Sequence, residues 1–181
     1  MQNPRLLLLL PLLTLAQPAT AQMENFTTGP VFEDFGPTAP VQQDEPVAAD
    51  ATFKIAFDAN KEAEPGKINR TIESAARFIN MQVKAGVKAE NIELAIVVHG
   101  GASLDLTNQE FFAAHKDGRK NASAAAIAQL QQHGVTFYLC GQSAAAHDIT
   151  NADLLPSVKM SLSAMTAHAL LQQQGYSLNP F

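Results

Sequence analysis

Residues 92–103 read IELAIVVHGGAS, and this stretch decides the fold. From Ile92 to Val98 only Glu93 is polar, and Val and Ile dominate. A short apolar run of that kind, closed by Gly100-Gly101, fits a strand buried on both faces. Such strands belong to parallel sheets with helices packed on either side. Downstream, VTFYLC at 135–140 is a second run of the same type. Upstream, TFKIAFD at 52–58 alternates apolar and polar residues and is rich in β-formers, so it reads as the first strand.

The intervals between these strands have helical spacing. Pro65 and Gly66 open a stretch in which Ile68, Ile72, Ala75, Ala76, Ile79 and Val83 share one face, and Gly86 stops it. A polar loop follows His99, with a short segment at Gln109–His115 and a turn at Asp117-Gly118. Asn121 is placed to cap a helix over Ser123–Gln132, which Gly134 ends. Gly141–Asp153 reads as a loop with a short Ala-rich helical piece. Val158–Ser161 is a short strand, Ser163 or Ser161 caps a helix to Gln174, and Tyr176–Phe181 is a terminal extended piece. Strands separated by helices with short connections pair in parallel through right-handed crossovers. The expected architecture is a three-layer α/β sandwich with a mostly parallel sheet of four or five strands, over residues 51–181.

Two segments precede this domain. MQNPRLLLLLPLLTLAQPATAQ has a basic Arg5, an apolar run from Leu6 to Leu15 and a small-x-small site at Ala19-Thr20-Ala21. It reads as a cleavable signal peptide over 1–21, with the mature chain starting at Gln22. Its apolar run is about half the roughly 20 residues that cross a bilayer. Export to a periplasm or to the exterior is expected, with no membrane attachment after cleavage. Residues 22–50 form an acidic, Pro-rich extended arm. Phe26, Val31, Phe32 and Phe35 are too apolar for a free tail and should pack on the domain or on a neighbouring subunit.

The chain carries 12 basic and 17 acidic side chains, and only Arg5 lies in the removed segment. That acidic balance disfavours nucleic acid as a partner. A single cysteine, Cys140, cannot form an intrachain disulfide, and no C-x-x-C is present. No histidine pair has metal-ligand spacing, so neither a metal site nor a cofactor is expected. The triplets at Asn25, Asn69 and Asn121 match the glycosylation acceptor pattern, which matters only in a eukaryotic secretory pathway.

In an open parallel sheet, ligands bind outside the carboxyl ends of the strands. That rule selects the loops after Asp58, Val98 and Leu139. Cys140 closes its strand and precedes Gly141, Gln142 and Ser143. If a helix starts there, its N–H groups favour a thiolate. The other reading of Cys140 is a small packing hydrophobe. His99 closes the neighbouring strand and can assist a thiolate or simply cap its loop, while Gly100-Gly101 lets backbone N–H groups approach a ligand. His147 and Asp148 lie close enough in sequence to fold back over the thiol. His115, His133 and His168 read as structural.

IVVHGGA at 96–102, YLCGQS at 138–143, DLLPSVKMSLSA at 153–164 and LLQQQGYSLNPF at 170–181 together resemble the DsrE/DsrF-like family in its exported branch. FEDFGPTAPV at 32–41 and FKIAFD at 53–58 fit that branch too. The resemblance implies a flavodoxin-like sandwich assembling as dimers, trimers or hexamers. It also implies a cysteine that takes sulfane sulfur as a persulfide and passes it to a partner protein. Cys140 matches that cysteine, and His99 matches the strand-end histidine of the exported branch. The loop residues Gly100, Gly101, Gly141, Gln142 and Ser143 would then line the anion. The alternatives are a non-catalytic ligand-binding or assembly module with a structural cysteine, and a thiol redox sensor.

Overall fold

The computed structural model describes residues 23–180. The signal-peptide reading falls outside the described residues. Five strands form one sheet: β1 (Phe53–Ala59), β2 (Ile92–Val98), β3 (Thr136–Cys140), β4 (Lys159–Ser161) and β5 (Ser177–Asn179). Their order is β4-β3-β2-β1-β5, and every neighbouring pair is parallel. The terminal extended piece is therefore an edge strand, aligned on Ile55–Phe57 of β1.

Five α-helices connect them: α1 (Arg70–Lys84), α2 (Gln109–His115), α3 (Ala124–Gln132), α4 (Gly141–Ala146) and α5 (Ala164–Gln173). From β1 to β4 each strand adds beside the last in one direction, whereas α5 carries the chain back across the sheet to β5. Right-handed crossovers in opposite directions place their helices on opposite faces. The α1/α3 face is thick, with Phe57, Ile72, Leu94, Ile96, Ile127, Leu130, Phe137 and Leu139 buried together. The α5 face is thin: Ala56, Ala95, Val97 and Cys140 meet Ala164, Ala167, Leu171 and Tyr176. Among the described residues no helix is long and apolar enough to cross a membrane.

Local details depart from the sequence reading in three places. α1 begins at Arg70, because Asn69 caps it by accepting from the Thr71 N–H at 3.0 Å. Asn121 does not cap α3. Its side chain accepts from the Ser123 N–H and donates to the Asp105 and Thr107 carbonyls, clamping a loop instead. That loop is no open polar segment: Gly100–Leu106 is a 3-10 helix with Ala102–Leu106 buried. Asn69 and Asn121 are both buried, which removes them as glycan acceptors.

The arm joins the thick face. Phe32 and Phe35 are buried in its core, while Phe26 stays exposed. Asn80 of α1, fully buried, holds the arm through five hydrogen bonds. Its Oδ1 accepts from Val31 and Phe32 N–H, and its Nδ2 donates to the carbonyls of Phe32, Phe35 and Gly36. Gly36 has φ +68°, and a Cβ there would stand 2.7 Å from the Arg77 nitrogen. Only glycine lets the arm lie on the α1 backbone so closely.

Candidate functional site

Cys140 ends β3 and is the residue from which α4 starts. On the ladder, Val98 pairs with Leu139 and Cys140 pairs with Ser161. His99, one residue beyond the last β2–β3 pair, thus comes level with Cys140 on a strand about 4.8 Å away. The thiol faces the thin side of the sheet, and the residue is 6% exposed.

Donors converge on its sulfur. Burial pushes the thiol pKa up, but hydrogen bonds from the Ser143 hydroxyl and from the Ser143, Ala164 and Gln142 N–H groups outweigh it. The net effect holds the thiol below its ordinary value. These donors come from two places: the first turn of α4, and the start of α5, where Ser163 caps the helix by accepting from Thr166 N–H at 3.0 Å.

The glycine after the thiol has a geometric reason. A Cβ on Gly141 would lie 2.6 Å from the Ser161 carbonyl oxygen, so α4 can start against β4 only without a side chain there. Gln142 fastens the same junction, its Nε2 donating to the Leu162 carbonyl at 3.2 Å. Ser143 reaches the other way: its Oγ accepts from Gly100 N–H at 3.0 Å. One hydroxyl thereby connects the His99 loop to the sulfur.

Gly100, Gly141, Gln142 and Ser143 are therefore gathered around Cys140. Gly101 is turned elsewhere: a Cβ added there would stand 3.4 Å from the Glu62 nitrogen. Gly100, at φ +56°, likewise admits the Asn60 carbonyl. His147 caps the far end of α4, roughly 10 Å along the axis from Cys140, and Asp148 is exposed in a left-handed turn beyond it. They do not fold back over the thiol. His133 packs edge-on against Phe32 just before β3, at the opposite end of that strand from Cys140, and His115 stacks on Phe111 in α2.

The sequence reading missed one part of the site. Asp58, at the end of β1, bonds His99 Nε2 with both oxygens (3.2 and 3.1 Å) and His168 Nε2 with Oδ1 at 2.8 Å. His168 is thus no bystander in α5. Its signal was in the spacing: Ala164, Ala167, His168 and Leu171 fall on one helical stripe, which put an imidazole on the inward face. Among the described residues no group of three or more His, Cys, Asp or Glu side chains is placed to hold a metal ion.

Fold and site define a class: a parallel α/β sandwich with one donor-rich thiol at the carboxyl end of a central strand. The chain belongs to the DsrE/DsrF-like family, whose model matches residues 53–180. That family is generally linked to sulfur relay. Two solved structures share the fold. The protein of unknown function MTH1491 from Methanobacterium thermoautotrophicum is 16% identical with a TM-score of 0.54, covering 71% of this chain and 99% of its own. The ychN protein from E. coli is 16% identical with a TM-score of 0.53, covering 72% of this chain and all of its own. No curated protein matches the chain.

Proposed function

We propose that the protein is an exported carrier of sulfane sulfur, holding it as a persulfide on Cys140. The observation that carries this reading is the placement of Cys140 at the carboxyl end of β3, level with His99 and beside the Ser143 hydroxyl that accepts from the Gly100 N–H. A packing cysteine behaves as a small hydrophobe, whereas the surroundings of this one hold its thiol below the ordinary value. In the transfer, the Cys140 thiolate attacks the outer sulfur of a persulfide donor, R–S–SH. The donor S–S bond breaks, a new S–S bond forms at Cys140, and R–S⁻ leaves with the bonding pair. The proton stays on the transferred sulfur, and no external oxidant is consumed. The Ser143 and backbone donors stabilise the attacking thiolate, and again the persulfide anion once the transferred sulfur has released its proton to water, with His99 alongside. Burial shields the product from further oxidation, as an oxidising compartment requires.

Leu162 and Met165, 72% and 80% exposed, flank the same junction. Two large apolar side chains in water beside a site favour a covering partner. A homo-oligomer closing over the thiol, and a donor or acceptor protein taking its turn there, both fit that surface. The test is intact mass after incubating the reduced protein with glutathione persulfide. Cys140 should gain one sulfur, and Cys140→Ser should gain none. A thiol that alkylates freely yet never gains sulfur refutes the reading.

A second reading has its own observation, the 6% exposure of Cys140. On it the cysteine is structural, and the strand ends serve assembly or small-ligand binding. Cys140→Ser would then leave oligomeric state and cellular phenotype unchanged.

A further inference from the structure

The Asp58 carboxylate stands between two imidazoles. A carboxylate only accepts, so both Nε2 atoms that meet it carry hydrogen. Both tautomers are fixed by that one group. For His99 this leaves Nδ1 as the nitrogen able to take a proton. For His168 it leaves Nδ1 buried without a partner. Among the described residues His168 therefore has one polar attachment, and it is Asp58.

That attachment bears on the thiol through α5. The helix lies on the thin face, where small side chains meet: Ala164 and Ala167 against Ala56, Ala95 and Val97. Small contacts bury little area, about 25 cal/mol per Å² of it, so the apolar grip there fixes the helix register only weakly. The Asp58–His168 bond ties the middle of α5 to β1 instead. Ala164, which packs in the same buried cluster as Cys140, lies four residues before His168, about one turn away. Holding one therefore sets the other. The same carboxylate orients His99, which the register places level with Cys140. The other charged groups on this face have their own partners: Lys54 pairs with Glu93 at 3.2 Å, Glu93 accepts from the Tyr176 hydroxyl, and Lys159 stands 5.5 Å over the Tyr138 ring.

We propose that Asp58 and His168 are positioning residues for the Cys140 thiol. Their bond sets α5 so that its first turn closes on Cys140, while Asp58 also fixes the ring of His99. The proposal deepens the reading of Cys140 as a reactive thiol and rests on it.

The test is the rate of Cys140 alkylation by iodoacetamide as a function of pH, on the reduced full chain. His168→Met fills the same space without a donor. His168→Gln carries an amide N–H that can reach the same carboxylate oxygen. The Met variant should react roughly fivefold to tenfold more slowly at neutral pH, the loss expected from one ordinary hydrogen bond. Its rate profile should move to higher pH. The Gln variant should recover to within about twofold of the parent. His168→Ala serves as the second donorless variant if the Met variant does not fold. A donorless variant with the parent profile overturns the proposal, as does a Gln variant no faster than Met. If neither donorless variant folds, the bond is a stability element and the positioning role falls.

Alkylation needs no sulfur donor, so the two readings separate. Predicted alkylation without sulfur uptake refutes the carrier and leaves the positioning intact. Sulfur uptake with a profile indifferent to residue 168 does the reverse. A parent thiol inert at every pH overturns both.

Discussion

Replacing Asn80 with Ala tests how the arm is held. The side chain is fully buried and makes five hydrogen bonds, two received from N–H groups and three given to carbonyls. Truncation orphans the Val31 and Phe32 N–H groups at once. Each buried orphan costs about 1–3 kcal/mol, which sets the initial penalty at roughly 2–6 kcal/mol. The arm has an escape that caps this figure. It can peel from α1, letting water reach the orphans, at the cost of exposing Phe32 and Phe35. Those rings are worth about 1.5–3 kcal/mol each, or roughly 3–6 kcal/mol together. The two routes cost similar amounts, so the expected loss is about 3–4 kcal/mol. Urea unfolding followed by circular dichroism measures it. Limited proteolysis distinguishes the routes, because a peeled arm is cut between Gly29 and Gln43 while the domain survives. A loss below about 1 kcal/mol with a protease-resistant arm would refute the account. The arm would then be held by its phenylalanines alone.

Two further outcomes follow from buried groups. Burial raises the Asp105 carboxyl from 3.8 to about 6, against the lowering effect of hydrogen bonds from Asn69 and the Ala63 N–H. Between those values the folded chain keeps a proton that the unfolded chain has lost. Stability should therefore fall as pH rises from about 4 to about 6 and stay level above, by an amount on the order of 3 kcal/mol. Glu93 and Asp153 are shifted down and act in the opposite sense at lower pH, so the measurement is the difference from Asp105→Asn. That variant should gain on the parent in urea midpoint between pH 4 and 7, and an unchanged difference would refute the assignment. Ser143→Ala removes a donor to the sulfur and the acceptor of the Gly100 N–H. Its Cys140 alkylation should slow roughly fivefold at neutral pH, and a parent-like rate would show the hydroxyl to be idle.

The parts legible in sequence were those governed by local pattern. β2 and β3 announced themselves because both of their faces are buried, which leaves an unbroken apolar run. Cys140 and His99 were singled out by position, since a strand end is where a parallel sheet opens, and the register sets them level with each other. Asn121 was misread because a helix cap and a loop clamp share one signature, a short amide ahead of a helix. Its partners, the carbonyls of Asp105 and Thr107, are specified only by the folded loop. β5 has three residues, too few for alternation to show. The phenylalanines of the arm were read as packed, but nothing local links them to Asn80, 48 residues on. Asp58 and His168 are hidden for the same reason at greater range, being 110 residues apart.

That span also orders events in time. Contacts distant along the chain close late, because the entropy of the intervening loop is lost before they form. The helix bearing Ala164 and His168 docks only when the sheet from β1 to β4 exists to receive it. Until then the cysteine lacks one of its sulfur donors and its solvent shield, while its nucleophilicity is that of an ordinary thiol. For the carrier proposed above, the nascent chain would thus pass through its most exposed stage with the thiol largely dormant. Maturation of the nucleophile becomes a final checkpoint of folding, and a chain that stalls early never arms it.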